Sequence, residues 1–168
     1  EVTAADLLET AIARIEDVDP VLFTVVHRHF DLAEAQIAGG LGDGHFAGVP
    51  FLIKNTGIEV EGMELSTGCR LFAGVVSPRD GTLAARYRAA GLVLMGKTNT
   101  PEFALSFTTE PALFRPTRNP WNPDFTCGGS SGGAGASLAS GTSTLATGSD
   151  IGGSIRIPAS ACGVVGYK

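Results

Sequence analysis

Two serines carry the strongest chemical signal in this chain. Ser130 lies in CGGSSGG and Ser154 in GSDIGGSIR, each inside a cluster of glycines. Glycine lets backbone N–H groups approach a ligand closely. A serine beside such N–H groups has the two parts acyl transfer needs, a nucleophilic oxygen and donors for an oxyanion. A serine hydroxyl is a weak nucleophile until a base takes its proton. The usual base is histidine, but His27, His29 and His45 all precede both serines and read as surface or packing residues. Lysine serves only if burial or nearby positive charge makes it neutral. Lys54 ends the apolar run VPFLI, where such burial is plausible, although an isolated lysine more often sits at the surface.

Other motifs extend the pattern in a fixed order. AGVPFLIKN spans Ala47 to Asn55, GKTNTPEFA spans Gly96 to Ala104, and PTRNPWNP spans Pro116 to Pro123. GGSSGG, GSDIGGSIRIP and CGVVGYK follow. Together these resemble the amidase signature family of serine hydrolases from about Ala47 onward. The resemblance implies a Ser-Ser-Lys triad. Ser154 would be the acyl-accepting nucleophile, Ser130 the bridging serine behind a cis peptide bond, and Lys54 the base. It also implies an oxyanion hole from the backbone N–H groups of Ile151, Gly152, Gly153 and Ser154. Asp150 and Arg156 flank that loop and read as its structural supports. Ser131 either caps the following helix or bonds within the triad. The implied reaction takes a carboxylic amide to an acid and ammonia or an amine, with no metal or organic cofactor. Two departures bear on substrate. Cys127 stands where many members have proline before GGSSGG, and FTTEPALFRPTRNP replaces the more usual Asn-containing stretch.

Rival patterns remain at this point. Gly91–Thr98 fits the phosphate-binding expression GxxxxGK[ST], with Lys97 as its lysine, but its four middle residues are apolar and read as a strand. Gly128-x-Ser130-x-Gly132 fits the GxSxG elbow, but no apolar strand precedes it and no histidine follows. A catalytically silent fragment is a third reading. Within the resembled family, the nearest alternative is the amidase-like subunit of a tRNA-dependent amidotransferase.

Composition narrows the classes. A hydrophobic share of 43% and a net charge of −5 over 168 residues describe a folded chain without a basic face for nucleic acid. No apolar run approaches the roughly 18–20 residues of a membrane span. Cys69, Cys127 and Cys162 show neither a disulfide framework nor a metal spacing, which suits a reducing compartment such as the cytoplasm. Cys127 reads as a packing residue. The expected partner is a small-molecule amide, and a homodimer is compatible with the sequence.

The elements that must position these residues alternate between helix and strand, which points to an α/β fold: helices layered on both sides of a mixed sheet. Thr3 and Asp6 form a capping box for a helix to Glu16, which Asp19-Pro20 is expected to end. Asp31 caps a helix through Ile37, closed by Gly39-Gly40. Val49–Ile53 is a buried strand delivering Lys54. Asp80 caps a helix through Ala90, Leu92–Met95 is a strand, and Thr100-Pro101 opens another helix. Ser131–Ala139 is a helix of small residues and Ser143–Thr147 a strand. Gly163–Lys168 reads as an apolar strand interrupted in mid-course. Members of the resembled family run to several hundred residues, so residues 1–168 are expected to be the N-terminal part of a single amidase domain, marginally stable and inactive alone.

Overall fold

A computed structural model describes residues 2–168. Among them, the helices and strands follow in the order α1 (Ala4–Leu22), β1 (Val25–Arg28), α2 (Phe30–Gly39), β2 (Pro50–Lys54), α3 (Thr82–Ala89), β3 (Val93–Thr98), α4 (Gly132–Ala139), β4 (Leu145–Ala146) and α5 (Arg156–Cys162). The strands form one mixed sheet in the order β1-β3-β2-β4. β2 runs parallel to β3 and β4, while β1 is antiparallel to β3.

The two central strands are buried along their whole length, so their side chains alternate between two apolar layers. Leu52, Val93 and Met95 pack with Leu8, Ala11 and Ile15 of α1 on one face. Phe51, Ile53 and Leu94 pack with Ile58, Val60, Met63 and Ala84 on the other. The helix–sheet–helix layering expected from the alternating pattern is the observed architecture.

The capping box forms as read. The Asp6 N–H donates to Thr3 Oγ1 at 3.2 Å, and the Thr3 N–H donates to Asp6 Oδ2 at 2.8 Å. The helix does not stop at Asp19-Pro20, however. It continues to Leu22 and turns at Phe23, in the left-handed conformation with φ 54°. Near the helix end Pro20 removes only one backbone donor. Asp19 is occupied elsewhere: its carboxylate accepts from the Thr24 N–H at 2.6 Å, the Thr24 hydroxyl at 2.7 Å and the Val25 N–H at 3.1 Å. The residue read as a stop therefore ties the helix end to β1.

Other expectations shift for similar tertiary reasons. Asp31 lies in the first turn of α2, behind His29, and makes no cap bond. Asp80 does not cap α3. It accepts from the Glu61 N–H at 2.8 Å and from Arg88 Nε at 2.7 Å. Thr100-Pro101 opens only a single 3-10 turn, Glu102–Ala104, whose Phe103 and Ala104 have φ of 52° and 59°. β4 is shorter than its reading, and no strand forms over residues 163–168. α5 was not foreseen. Its Pro158 falls in the first turn, where a missing N–H costs nothing.

β2 and β3 bring their carboxyl ends together, with Lys54 beside Thr98. α4 begins against this edge: the Gly133 N–H donates to the Asn99 carbonyl at 3.2 Å. A Cβ at Gly133 would stand 2.4 Å from Asn99 N, so only glycine permits this approach. Thr98 itself is fully buried, and its hydroxyl has no hydrogen-bond partner among the described residues. An unpaired buried hydroxyl costs on the order of 1–3 kcal/mol. Thr98→Val is therefore expected to raise the unfolding free energy of the full-length parent protein by about 1 kcal/mol, read from the midpoint of chemical denaturation. A loss of stability would show that the hydroxyl is satisfied.

Candidate active site

Lys54 is the last residue of β2 and is 1% exposed. Its N–H donates to Thr147 Oγ1 at 2.8 Å, while the Thr147 N–H donates to the Leu52 carbonyl at 3.0 Å. This exchange ties the end of β2 to the chain that follows β4. The Lys54 side chain then reaches two hydroxyls. Nζ donates to Ser130 Oγ at 2.7 Å and to Ser149 Oγ at 2.8 Å.

Burial pushes the Lys54 amine down to about 8, and the negative charge of Asp150 opposes that shift. Lys97 is pushed to about 8 as well, again by burial, with Asp80 opposing. Acidity therefore does not distinguish the two lysines; geometry does. Lys97 Nζ is fully buried and spends a hydrogen bond on the Ile58 carbonyl at 2.7 Å. That placement overturns the phosphate-binding reading of Gly91–Thr98. The motif's middle residues are strand β3, and its lysine is sealed inside the protein.

Ser130 follows a cis peptide bond, Gly129-Ser130. The preceding glycine is packed tightly: a Cβ at Gly129 would stand 2.6 Å from the Thr108 carbonyl oxygen. The Ser130 carbonyl accepts from Thr100 Oγ1 at 3.0 Å, which anchors this turn to the chain leaving β3. No strand leads into Ser130, so the elbow reading fails as well.

Ser154 sits in the loop between β4 and α5, close to the same turn. The Ser131 N–H donates to the Ser154 carbonyl at 3.0 Å. Ser131 holds the N-cap position of α4, but its side chain makes no cap bond; its Oγ accepts from the Ser149 N–H at 3.2 Å and donates to the Ser149 carbonyl at 3.4 Å. It staples the two serine loops together. The structure does not bring Ser154 Oγ into hydrogen-bonding contact with Ser130 Oγ. Ser154 Oγ makes no hydrogen bond among the described residues.

Asp150 organises the loop that carries Ser154. Its side chain is 0% exposed and accepts from the N–H groups of Gly153 at 2.9 Å, Ile155 at 3.1 Å and Arg156 at 3.2 Å. The Arg156 guanidinium adds a bidentate pair at 3.0 and 2.9 Å. That guanidinium, helped by the backbone donors, holds the Asp150 carboxyl well below the usual carboxylate range. The backbone donors of this loop are divided. The Gly153 N–H is already given to Asp150, whereas those of Ile151, Gly152 and Ser154 have no acceptor among the described residues.

Ser149 was missed from the sequence. It precedes Asp150 in the same motif, but its residue type alone does not single it out. Loss of its oxygen removes an acceptor that favours protonated Lys54. Ser149→Ala is therefore expected to move the acid limb of the pH–rate profile to lower pH and to lower the plateau rate. An unchanged limb would show that Ser149 does not feel the Lys54 proton.

No histidine hydrogen-bonds to Lys54, Ser130 or Ser154 among the described residues. His27 Nδ1 lies 2.8 Å from Glu64 Oε2 and Nε2 lies 3.3 Å from Ser66 Oγ, an order that mimics Ser-His-acid. Ser66 is fully buried, however, and its Oγ already accepts from Asn55 Nδ2 at 2.7 Å. His45 is exposed. The three cysteines are free, and burial pushes the Cys127 thiol up to about 12, so it packs and does not attack. No three His, Cys, Asp or Glu side chains gather as a metal-ligand set among the described residues. No helix among them is long and apolar enough to cross a membrane.

The comparisons with known proteins agree with one another. The 6-aminohexanoate-cyclic-dimer hydrolase of Paenarthrobacter ureafaciens is 43% identical over 170 residues, covering 100% of this chain and 34% of the relative. A glutamyl-tRNA(Gln) amidotransferase subunit of Synechococcus sp. (strain WH7803) is 42% identical over 175 residues, covering 100% of this chain and 36% of the relative. The solved structure of a 6-aminohexanoate cyclic dimer hydrolase complexed with substrate matches with a TM-score of 0.92 at 41% identity, over 96% of this chain and 34% of that one. The chain thus spans about a third of the length of the curated relatives it matches. A family model described as Amidase matches residues 6–168, and the chain belongs to that family, the amidase signature enzymes.

Proposed function

We propose that these residues are the N-terminal part of a single cytoplasmic amidase domain that hydrolyses a small linear carboxylic amide to a carboxylate and ammonia or an amine. The observation that carries this reading is the buried contact of Lys54 Nζ with Ser130 Oγ at 2.7 Å. A neutral amine has two N–H groups and one lone pair. With one N–H on Ser149 Oγ, the lone pair is free to take the Ser130 proton. Ser130 in turn takes the proton of Ser154 as Ser154 Oγ attacks the carbonyl carbon. The tetrahedral oxyanion is met by the N–H groups of Ile151, Gly152 and Ser154, each such donor lowering the barrier by about 2.7–4 kcal/mol. The same relay returns a proton to the departing amine, and water then attacks the Ser154 ester. The relay needs Ser154 Oγ within hydrogen-bonding reach of Ser130 Oγ, a kind of contact that tightens in the substrate complex. No step in it calls on a metal or organic cofactor.

Covalent labelling of the full-length parent protein with methanesulfonyl fluoride tests the assignment. An adduct on Ser154 that is lost in Ser130→Ala is expected. An adduct on Ser130, or none on the folded protein, would overturn the roles. The amidase-like component of an amidotransferase is the second reading, favoured by a 42% identity close to that of the hydrolase. Hydrolysis of an acyl amide by the parent protein, without tRNA or other protein components, would decide against it.

The domain reading has its own observation. A cavity of about 1030 Å³ opens beside β4, lined by Leu138, Leu145, Ile155, Val164 and Val165 among others. β4 has a strand partner on one side only. Apolar walls of this kind need cover. The 168 residues by themselves are expected to show no cooperative thermal transition and no amidase activity. A sharp transition with hydrolysis by this chain alone would refute the domain reading.

A further inference from the structure

Phe107 is an aromatic residue left 59% exposed beside the candidate site, and nothing in the relay uses it. Its position is constrained from both ends. The Phe103 N–H is bonded to the Thr67 carbonyl at 2.9 Å, and Thr109 Oγ1 donates to the Gly128 carbonyl at 2.8 Å. Between these anchors, Phe107 touches both serine loops. Its carbonyl carbon would stand 2.9 Å from a Cβ at Gly129, the residue before Ser130. Its ring Cζ would stand 3.8 Å from a Cβ at Gly152, two residues before Ser154. The Phe107 backbone is therefore held against the turn before Ser130, and its ring lies beside the loop before Ser154.

The direction of the reaction assigns the group this ring meets. The departing amine must receive its proton from Ser130, so it points inward, towards Lys54. The acyl substituent on the same carbonyl carbon then points away from Ser130, towards the exposed side on which the Phe107 ring lies beside Gly152. Resting on the relay proposed above, we infer that Phe107 is a specificity-determining residue whose ring forms an apolar wall for the acyl chain. It selects amides of extended aliphatic or aryl carboxylic acids over those of short acids. A hydrophobic wall discriminates by roughly 10–200-fold per missing contact group, not more.

The experiment compares the full-length parent with Phe107→Ala and Phe107→Leu on p-nitroanilides of acetic, butyric and hexanoic acid, which share one leaving group. The expected result is a roughly 10–100-fold fall in kcat/KM for the hexanoyl substrate in Phe107→Ala, partial recovery in Phe107→Leu, and an acetyl rate within about twofold of the parent. A uniform loss over the series would overturn the inference, and would mean that the ring packs on another part of the protein. Methanesulfonyl fluoride labelling of Ser154 in the parent reports on the relay separately. Should that labelling fail, hexanoate and acetate binding to the parent and to Phe107→Ala, measured by calorimetry, still decides. Hexanoate binding weakened selectively by Phe107→Ala supports the wall; equal binding of hexanoate to both proteins overturns it.

Discussion

Lys54→Met is expected to abolish acylation of Ser154, and Lys54→Arg is expected to be just as inactive. The two substitutions separate two roles that a buried cation can play. Methionine keeps the volume and the unbranched stem but removes the nitrogen. Arginine keeps a positive charge and hydrogen-bond donors but cannot be deprotonated in a protein. If Lys54 merely held Ser130 by charge, arginine would restore part of the rate. If Lys54 takes the proton, neither variant does, with losses on the order of 10²–10⁴ in kcat/KM for general base catalysis alone. The pH dependence carries the same distinction. Burial places the Lys54 amine near 8, so kcat/KM is expected to rise tenfold per pH unit below about 8 and to level above it. An ordinary lysine, with its pKa near 10.4, would put that limb more than two units higher. A limb near 6.5, the usual histidine range, would remove Lys54 from the role. Stopped-flow acylation across the pH range reads all three cases directly.

How much of this was legible without coordinates varies from residue to residue. Thr3 and Asp6 form their capping box because that motif is local and closes within one turn. The run Val49–Ile53 reads as a buried strand because unbroken apolarity on both faces has few other solutions, and the observed strand is Pro50–Lys54. Asp19 and Asp80 misled for one reason. Each has the right type and place for a helix boundary, but each is claimed by a partner that only the tertiary fold brings near: Thr24 and Val25 for one, Glu61 and Arg88 for the other. The turn at Phe103 is likewise set from outside, by the Thr67 carbonyl. At the site, motif order was enough to nominate Lys54 and Ser130, 76 residues apart, and the fold places them in contact. It was not enough to find Ser149, or to see that Asp150 claims the Gly153 N–H. Those bonds depend on the path of one loop in space, and residue types alone do not encode it.

That loop yields the second large effect. Asp150→Asn is expected to cost two orders of magnitude or more in Ser154 acylation, the scale of losing an oxyanion-hole donor, while Arg156→Ala costs far less. Asparagine has the shape of aspartate, so the effect is electronic. Oδ1 accepts from the Gly153 N–H and Arg156 Nη2, and Oδ2 accepts from the Ile155 and Arg156 N–H groups and Arg156 Nε. Whichever way the amide is turned, its NH₂ faces at least two donors, and the loop around Ser154 must move. Arg156→Ala leaves the three backbone bonds in place and removes only a guanidinium that is itself exposed. The charge acts on Lys54 too. Asp150 is the group that resists the downward shift of the Lys54 amine, so its neutralisation should move the acid limb below 8 as well as lower the plateau. The sign of the stability effect follows from the depressed Asp150 carboxyl. Its contribution is complete above the unfolded value of about 3.9 and is lost only as the pH falls well below it. The parent should therefore keep this loop ordered in mild acid. If Asp150→Asn proved as mild as Arg156→Ala, with the limb unmoved, the backbone bonds would not be what positions Ser154. The loop would then have to be held by Ser131, through its bonds to Ser149 and to the Ser154 carbonyl.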